Sequence, residues 1–240
     1  MSSSSSQKFF LLAGRVVWLA YLFLCGVAVG LFAPGAAEMR LTIGLGWTVP
    51  WLLLTIILGY TAIAAALDVT MARKYAWKLL LGGIVVQVVA GTTGIFGAHL
   101  LYTTNAGWKL AGLIPVFLPF LWMILAGCSA VLGGRLWPGG PTWGRALVAT
   151  AVFGALLLLL ALPAERYLIW WIPDFERGSV QLPVFVGAPL FIVLVYLQML
   201  LLPPPTRFDF RGRGWRAPAV IVATWAIIFA IANLSLYLSS

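Results

Sequence analysis

The chain has 240 residues, 62% of them hydrophobic and 9% charged, and its mean hydropathy is +1.04. A soluble domain carries roughly a quarter charged residues, so this composition excludes one. The net charge of +9 does not point to nucleic acid either: the Arg and Lys residues sit between apolar runs, where they set membrane topology, and no basic stripe with interleaved aromatics stands apart.

Apolar runs of about 18 residues or more match a hydrocarbon core roughly 30 Å thick. Lipid admits only helices or closed barrels, because every backbone polar group needs an internal partner. The runs here lack the apolar/polar alternation of a barrel strand. The expected fold is therefore all-α: one polytopic transmembrane bundle of about seven helices, multi-pass in the inner (plasma) membrane.

In chain order, a polar tail precedes the first span, 9–32. This run is longer than a signal-peptide core and is expected to be retained as a helix. The second span covers 47–67, with Pro50 at its start and Asp68 at its close. A basic connector with Arg73, Lys74 and Lys78 leads into the third, 79–101. A Thr/Asn turn over Tyr102–Gly107 separates it from the fourth, 110–132, which begins with Gly112 and Pro115. The fifth, 146–162, is followed by a connector with Glu165, Asp174 and Glu176. The sixth, 182–202, begins with Gly187 and Pro189 and stops at three prolines, and the seventh covers 217–238. Alternate connectors are rich and poor in Arg and Lys, which the positive-inside rule reads as N-in and C-out. Tryptophans near the span ends, among them Trp51, Trp77, Trp137, Trp143, Trp170 and Trp171, are expected to form interfacial belts.

Few residues could carry chemistry. Cys25 and Cys128 lie within spans and form neither a disulfide framework nor a metal cluster. A single histidine excludes a bis-histidine haem or a His/His metal site, and no cofactor or metal is expected. Polar side chains in lipid are costly, and each is a functional candidate. Gln87 is expected mid-way along the third span. His99, twelve residues on, would stand roughly 18 Å further along the same helix. A free imidazole titrates near neutrality and suits acid–base work. Glu165 is the third candidate, since a carboxyl group in apolar surroundings keeps a proton to donate. No phosphate-binding loop, nucleophile elbow, zinc-protease motif or paired Asp-rich motif is present. The last absence argues against prenyl transfer, which needs carboxylate-held Mg²⁺.

Two segments resemble a family of membrane proteins of carotenoid biosynthesis that includes carotenoid hydratases. One runs from Gly94-Ile95-Phe96-Gly97 through His99, Tyr102 and Thr103 to Gly112-Leu113-Ile114-Pro115 and Pro119-Phe120-Leu121-Trp122. The other is Phe185-Val186-Gly187-Ala188-Pro189-Leu190. Together they cover about a third of the chain. The family tends to carry a Glu where this chain has Gln87, and a Tyr near the position of His99. The resemblance implies a lipophilic carotenoid or isoprenoid substrate in the bilayer, and hydration of a terminal C=C bond. In that reaction His99, Glu165 and Gln87 would be catalytic. Gly94, Phe96, Gly97, Tyr102, Trp122, Trp170, Gly187 and Pro189 would contact the substrate, with other pathway membrane enzymes as partners. The alternative reading is a non-enzymatic carrier or assembly subunit that binds an apolar ligand or partner helices.

Overall fold

The computed structural model describes residues 3–32, 37–67, 69–168, 170–174, 182–201 and 213–239. Glu176, Arg177, Asp68, Asp209 and the three prolines after the sixth span lie outside the described residues. Among the described residues seven helices are long and apolar enough to cross a membrane: α1 (Ser3–Phe32), α2 (Ala37–Leu67), α3 (Val69–Thr92), α4 (Phe117–Leu136), α5 (Thr142–Arg166), α6 (Val184–Leu201) and α7 (Arg216–Ser239). The fold is thus the expected all-α membrane bundle. Pro50 does not begin a helix as expected. It lies inside α2, which starts at Ala37.

The bundle is built around α4. Its span is 83% buried, against 17–44% for the other six. Small residues permit this. A Cβ on Gly127 would stand 2.5 Å from Ile63 of α2, and one on Gly133 would stand 2.7 Å from the Arg145 carbonyl oxygen at the start of α5. In the other direction, Gly59 of α2 makes room for Ile124 of α4. Close backbone approach supplies the dispersion contacts that replace a hydrophobic driving force between helices in lipid. Polar side chains join helices further out: Tyr21 Oη and Thr224 Oγ1 are 2.8 Å apart between α1 and α7. Asn233 Nδ2 donates to the Leu159 carbonyl oxygen of α5 at 2.7 Å.

Stacking of Phe32 on Tyr167 sets the end of α1 beside the end of α5. At the opposite end the Arg135 guanidinium lies over Trp215. Successive helices therefore alternate in direction. The connectors 93–116 and 167–174 share one end, and they form a cap that the sequence reading did not anticipate. Strand β1 (His99–Tyr102) pairs antiparallel with β4 (Trp171–Asp174), with His99 opposite Asp174 and Tyr102 opposite Trp171. Strands β2 (Lys109–Leu110) and β3 (Ile114–Pro115) form a hairpin beside them. Its three-residue connection, 111–113, has Ala111 at φ 50° and Gly112 at φ 73°, left-handed conformations of the kind tight hairpin turns use.

Two expectations about tryptophan are corrected by this packing. Trp51 and Trp170 are core residues, 0% and 1% exposed, and not part of a belt. Trp51 stacks on Trp225 at 4.5 Å, and Trp170 packs edge-on against Phe117 at 4.8 Å. Trp77, Trp108, Trp137 and Trp143 are exposed, as an interfacial role requires.

Candidate functional site

Helix α3 ends at Thr92, so His99 does not continue it. The apolar run 93–101 resembles helix in composition, but the chain turns at Gly97, at φ 100°, and comes back as β1. Gln87 is accordingly near the end of α3, and His99 is folded back over that end. The expected separation of 18 Å along one helix is replaced by a compact cluster.

In that cluster the His99 Nε2–H donates to the Gly91 carbonyl oxygen at 2.7 Å. This bond assigns the tautomer, and Nδ1 is left buried without a partner among the described residues. Tyr102 reaches from β1 onto α3, where its phenol donates to the Gln87 side-chain oxygen. Burial pushes the phenol's pKa up, which keeps it protonated as a donor. Gly91 permits this arrangement: a Cβ there would stand 2.9 Å from the Tyr102 ring. Lys109 Nζ donates to the Tyr102 carbonyl oxygen and ties the hairpin to β1.

The two segments that carry the family resemblance meet at the start of α6. A Cβ on Gly187 would stand 2.3 Å from the Gly97 amide nitrogen and 2.4 Å from the Phe96 carbonyl carbon. The Gly94 carbonyl oxygen accepts from the Gly97 and Leu182 amides. Below this contact an aromatic ladder runs inward. Phe96 meets Phe191 edge-on at 5.2 Å, and Trp122 meets Phe191 at 5.9 Å and Phe153 at 4.7 Å. Trp122 Nε1 donates to Gln198 Oε1 of α6 at 3.1 Å. Gly82 leaves the space that the Gln198 amide occupies. Thus Phe96, Trp122, Gly94, Gly97 and Gly187 sit in one packed seam, while Pro189 lies within α6 and is exposed. Trp170 is held separately in the cap.

Glu165 does not join Gln87 or His99 through any hydrogen bond among the described residues. Its carboxylate contacts the adjacent Arg166 at 3.2 Å, with the two side chains 25% and 66% exposed. Such a pair contributes little on its own. Among the described residues no group of three or more His, Cys, Asp or Glu could hold a metal ion.

The sequence reading missed two features. One is Gln198, a second amide in an apolar span, which the reasoning applied to Gln87 would have flagged. The other is a groove of about 570 Å³ between α2, α3 and α4, whose walls include Ile57, Tyr60, Trp77, Leu80, Phe120 and Met123. It lies apart from the cap cluster and contains none of the predicted site residues. A groove is a product of how three helices diverge, and no local pattern encodes it.

Together these features define a class of protein: a helical membrane bundle with a small β cap at one end and a lateral apolar groove. Comparison of the chain with protein-family models, curated proteins and solved structures finds no match.

Proposed function

We propose that this chain is a multi-pass membrane protein that holds a lipophilic molecule in the groove between α2, α3 and α4 without transforming it. The observation that carries this reading is a separation. The groove walls offer no carboxylate, imidazole or amide side chain, while Gln87 and Glu165 each have a partner at the cap end and His99 has one for Nε2. Protonating a C=C bond needs an acid within reach of the bound chain, at hydrogen-bonding distance or through one water. A carotenoid or another isoprenoid is the ligand class that the family resemblance suggests. We place the protein in the plasma membrane with its N-terminus inside. Arg73, Lys74, Lys78, Arg135 and Arg145 then face the cytoplasm, as the positive-inside rule asks.

Extraction of the purified protein tests the reading. A lipophilic compound enriched over bulk lipid should be recovered, and Ala76→Phe, which fills the groove, should lose it. The triple variant Gln87→Met, His99→Gln, Glu165→Gln should keep it. An extract no different from bulk lipid counts against binding.

The hydratase reading has one observation in its favour: the contact of Gly187 with Phe96–Gly97 brings the two resembling segments together beside His99, whose Nδ1 has no partner among the described residues. Co-expression with a linear carotenoid distinguishes the two. A hydroxylated product that disappears on His99→Gln would establish catalysis, and an unchanged pigment profile would end that reading.

A further inference from the structure

The groove surface is almost wholly apolar, with one cationic residue at one end of it. Arg73 lines it at the end of α3 where the membrane span begins. Residues 73, 76, 77 and 80 recur at helical spacing, so they form one stripe along α3. This stripe starts with the Arg73 side chain, which is exposed, and continues through Ala76 and Trp77 to Leu80, all of which line the groove. The opposite wall, from α2, carries Thr61 and Tyr60 at corresponding positions before turning to Ile57 and Ile56. An arginine at a membrane boundary lays its stem along apolar surface and lifts its head to the interface. Among the described residues Arg73 forms no ion pair: the one salt bridge is that of Glu165 with Arg166. Lys74 and Lys78 are exposed on the same turns.

We infer that the occupant of this groove is an amphiphile with an anionic phosphate head, namely an anionic phospholipid of the leaflet that meets the start of α3. This inference rests on the groove reading above, and it puts a phospholipid in place of the isoprenoid that the resemblance suggests. The Arg73 guanidinium donates paired N–H bonds to the phosphate, whose charge no choline cation on the same lipid neutralises. One acyl chain runs past Trp77 and Tyr60 toward Phe120 and Met123. Because the groove opens sideways, the chain enters from the bilayer and needs no passage through the bundle. A neutral hydrocarbon would fill the apolar length and leave the Arg73 end unused. Lys74 and Lys78 raise the local anion concentration without lining the groove.

The test uses the full chain, delipidated in neutral detergent and titrated with dioleoyl phosphatidylglycerol or dioleoyl phosphatidylcholine, with bound lipid counted by native mass spectrometry. The expected result is a preference of about tenfold for phosphatidylglycerol, the size of one charge-assisted hydrogen-bonded pair. Arg73→Gln should equalise the two lipids, and Lys74→Gln with Lys78→Gln should keep most of the preference. Ala76→Phe should abolish tight binding of both. An unchanged melting temperature of lipid-free Arg73→Gln and of Ala76→Phe, whose site is 5% exposed, shows that each variant is folded. If both lipids bind equally to the wild type and Ala76→Phe removes them, the groove reading stands and the anionic head is overturned. If Ala76→Phe changes nothing, the groove reading itself fails. A preference that survives Arg73→Gln but falls with the lysine pair would assign it to a diffuse basic surface and overturn the inference.

Discussion

A methyl group on Gly187 would stand 2.3 Å from the Gly97 nitrogen, and both partners are backbone, which cannot move aside as a side chain can. Gly187→Ala should therefore detach the start of α6 from the cap and lower stability by about 1–3 kcal/mol, seen as a falling melting temperature in detergent. Gly26→Ala is the control: a Cβ there meets nothing within 4 Å, and the change should be neutral or slightly stabilising. A second residue-scale effect belongs to Tyr102. Tyr102→Phe leaves the Gln87 side-chain oxygen without its donor inside a packed cluster, at a cost of about 1–3 kcal/mol. The double variant with Gln87→Leu should recover part of that loss, because two apolar partners leave nothing unsatisfied. In contrast, Ala111 sits at φ 50° in the hairpin turn. Ala111→Asn should raise stability by about 0.5–1 kcal/mol, since Asn tolerates the left-handed region better than Ala.

At the scale of elements, the legible and the hidden parts of the fold divide by how local their signals are. Seven spans could be read because each helix is a continuous apolar run, and lipid leaves such a run no other structure. Their ends were less legible. The run 93–101 is as apolar as a helix, and only the glycines at 91, 94 and 97 hint that it stops; the cap strands are two to four residues long and carry no periodicity. Pro115, expected near the start of the fourth span, lies instead in β3, two residues before α4; Pro189 falls inside α6 as the span bounds implied, and Pro50 lies well inside α2. Of the candidate site, the residues were found but their association was not. A chain reversal brings His99 to Gly91 and Tyr102 to Gln87, and Trp122 meets Gln198 across 76 positions of sequence. The cap also makes a prediction of its own. Trp170 is 1% exposed; its main chain bonds both Thr103 and Ala164 of α5, and its ring packs on Phe117 at the start of α4, so it ties the cap to the bundle. Trp170→Ala should cost about 3–5 kcal/mol. Proteolysis should then begin in the cap while α4, the most buried helix, retains the slowest amide exchange.

For the whole molecule, the deciding question is which end faces which compartment, since the anionic-lipid site and the cap cluster lie at opposite ends. Alternating helices put the 137–141 turn at the basic end and the hairpin turn at the cap end. Pro138 and Trp108 are both exposed, Trp108 at 91%, and each can report its side as a cysteine. The native Cys25 and Cys128 are buried, 6% and 0% exposed, and give little background. In intact cells Trp108→Cys should react with a membrane-impermeant maleimide, and Pro138→Cys should react only after the membrane is opened. The argument for that outcome is electrostatic. Arg73, Lys74, Lys78, Arg135 and Arg145 share one end, while among the described residues the cap end offers Arg40 at the start of α2, Lys109, and Arg166, the last paired with Glu165. A reversed labelling pattern would put five cations on the outer side, against the insertion bias that basic residues impose. It would also move the Arg73 groove to the outer leaflet. Labelling of both variants in intact cells would instead contradict the alternation of the helices, and with it the seven-span fold.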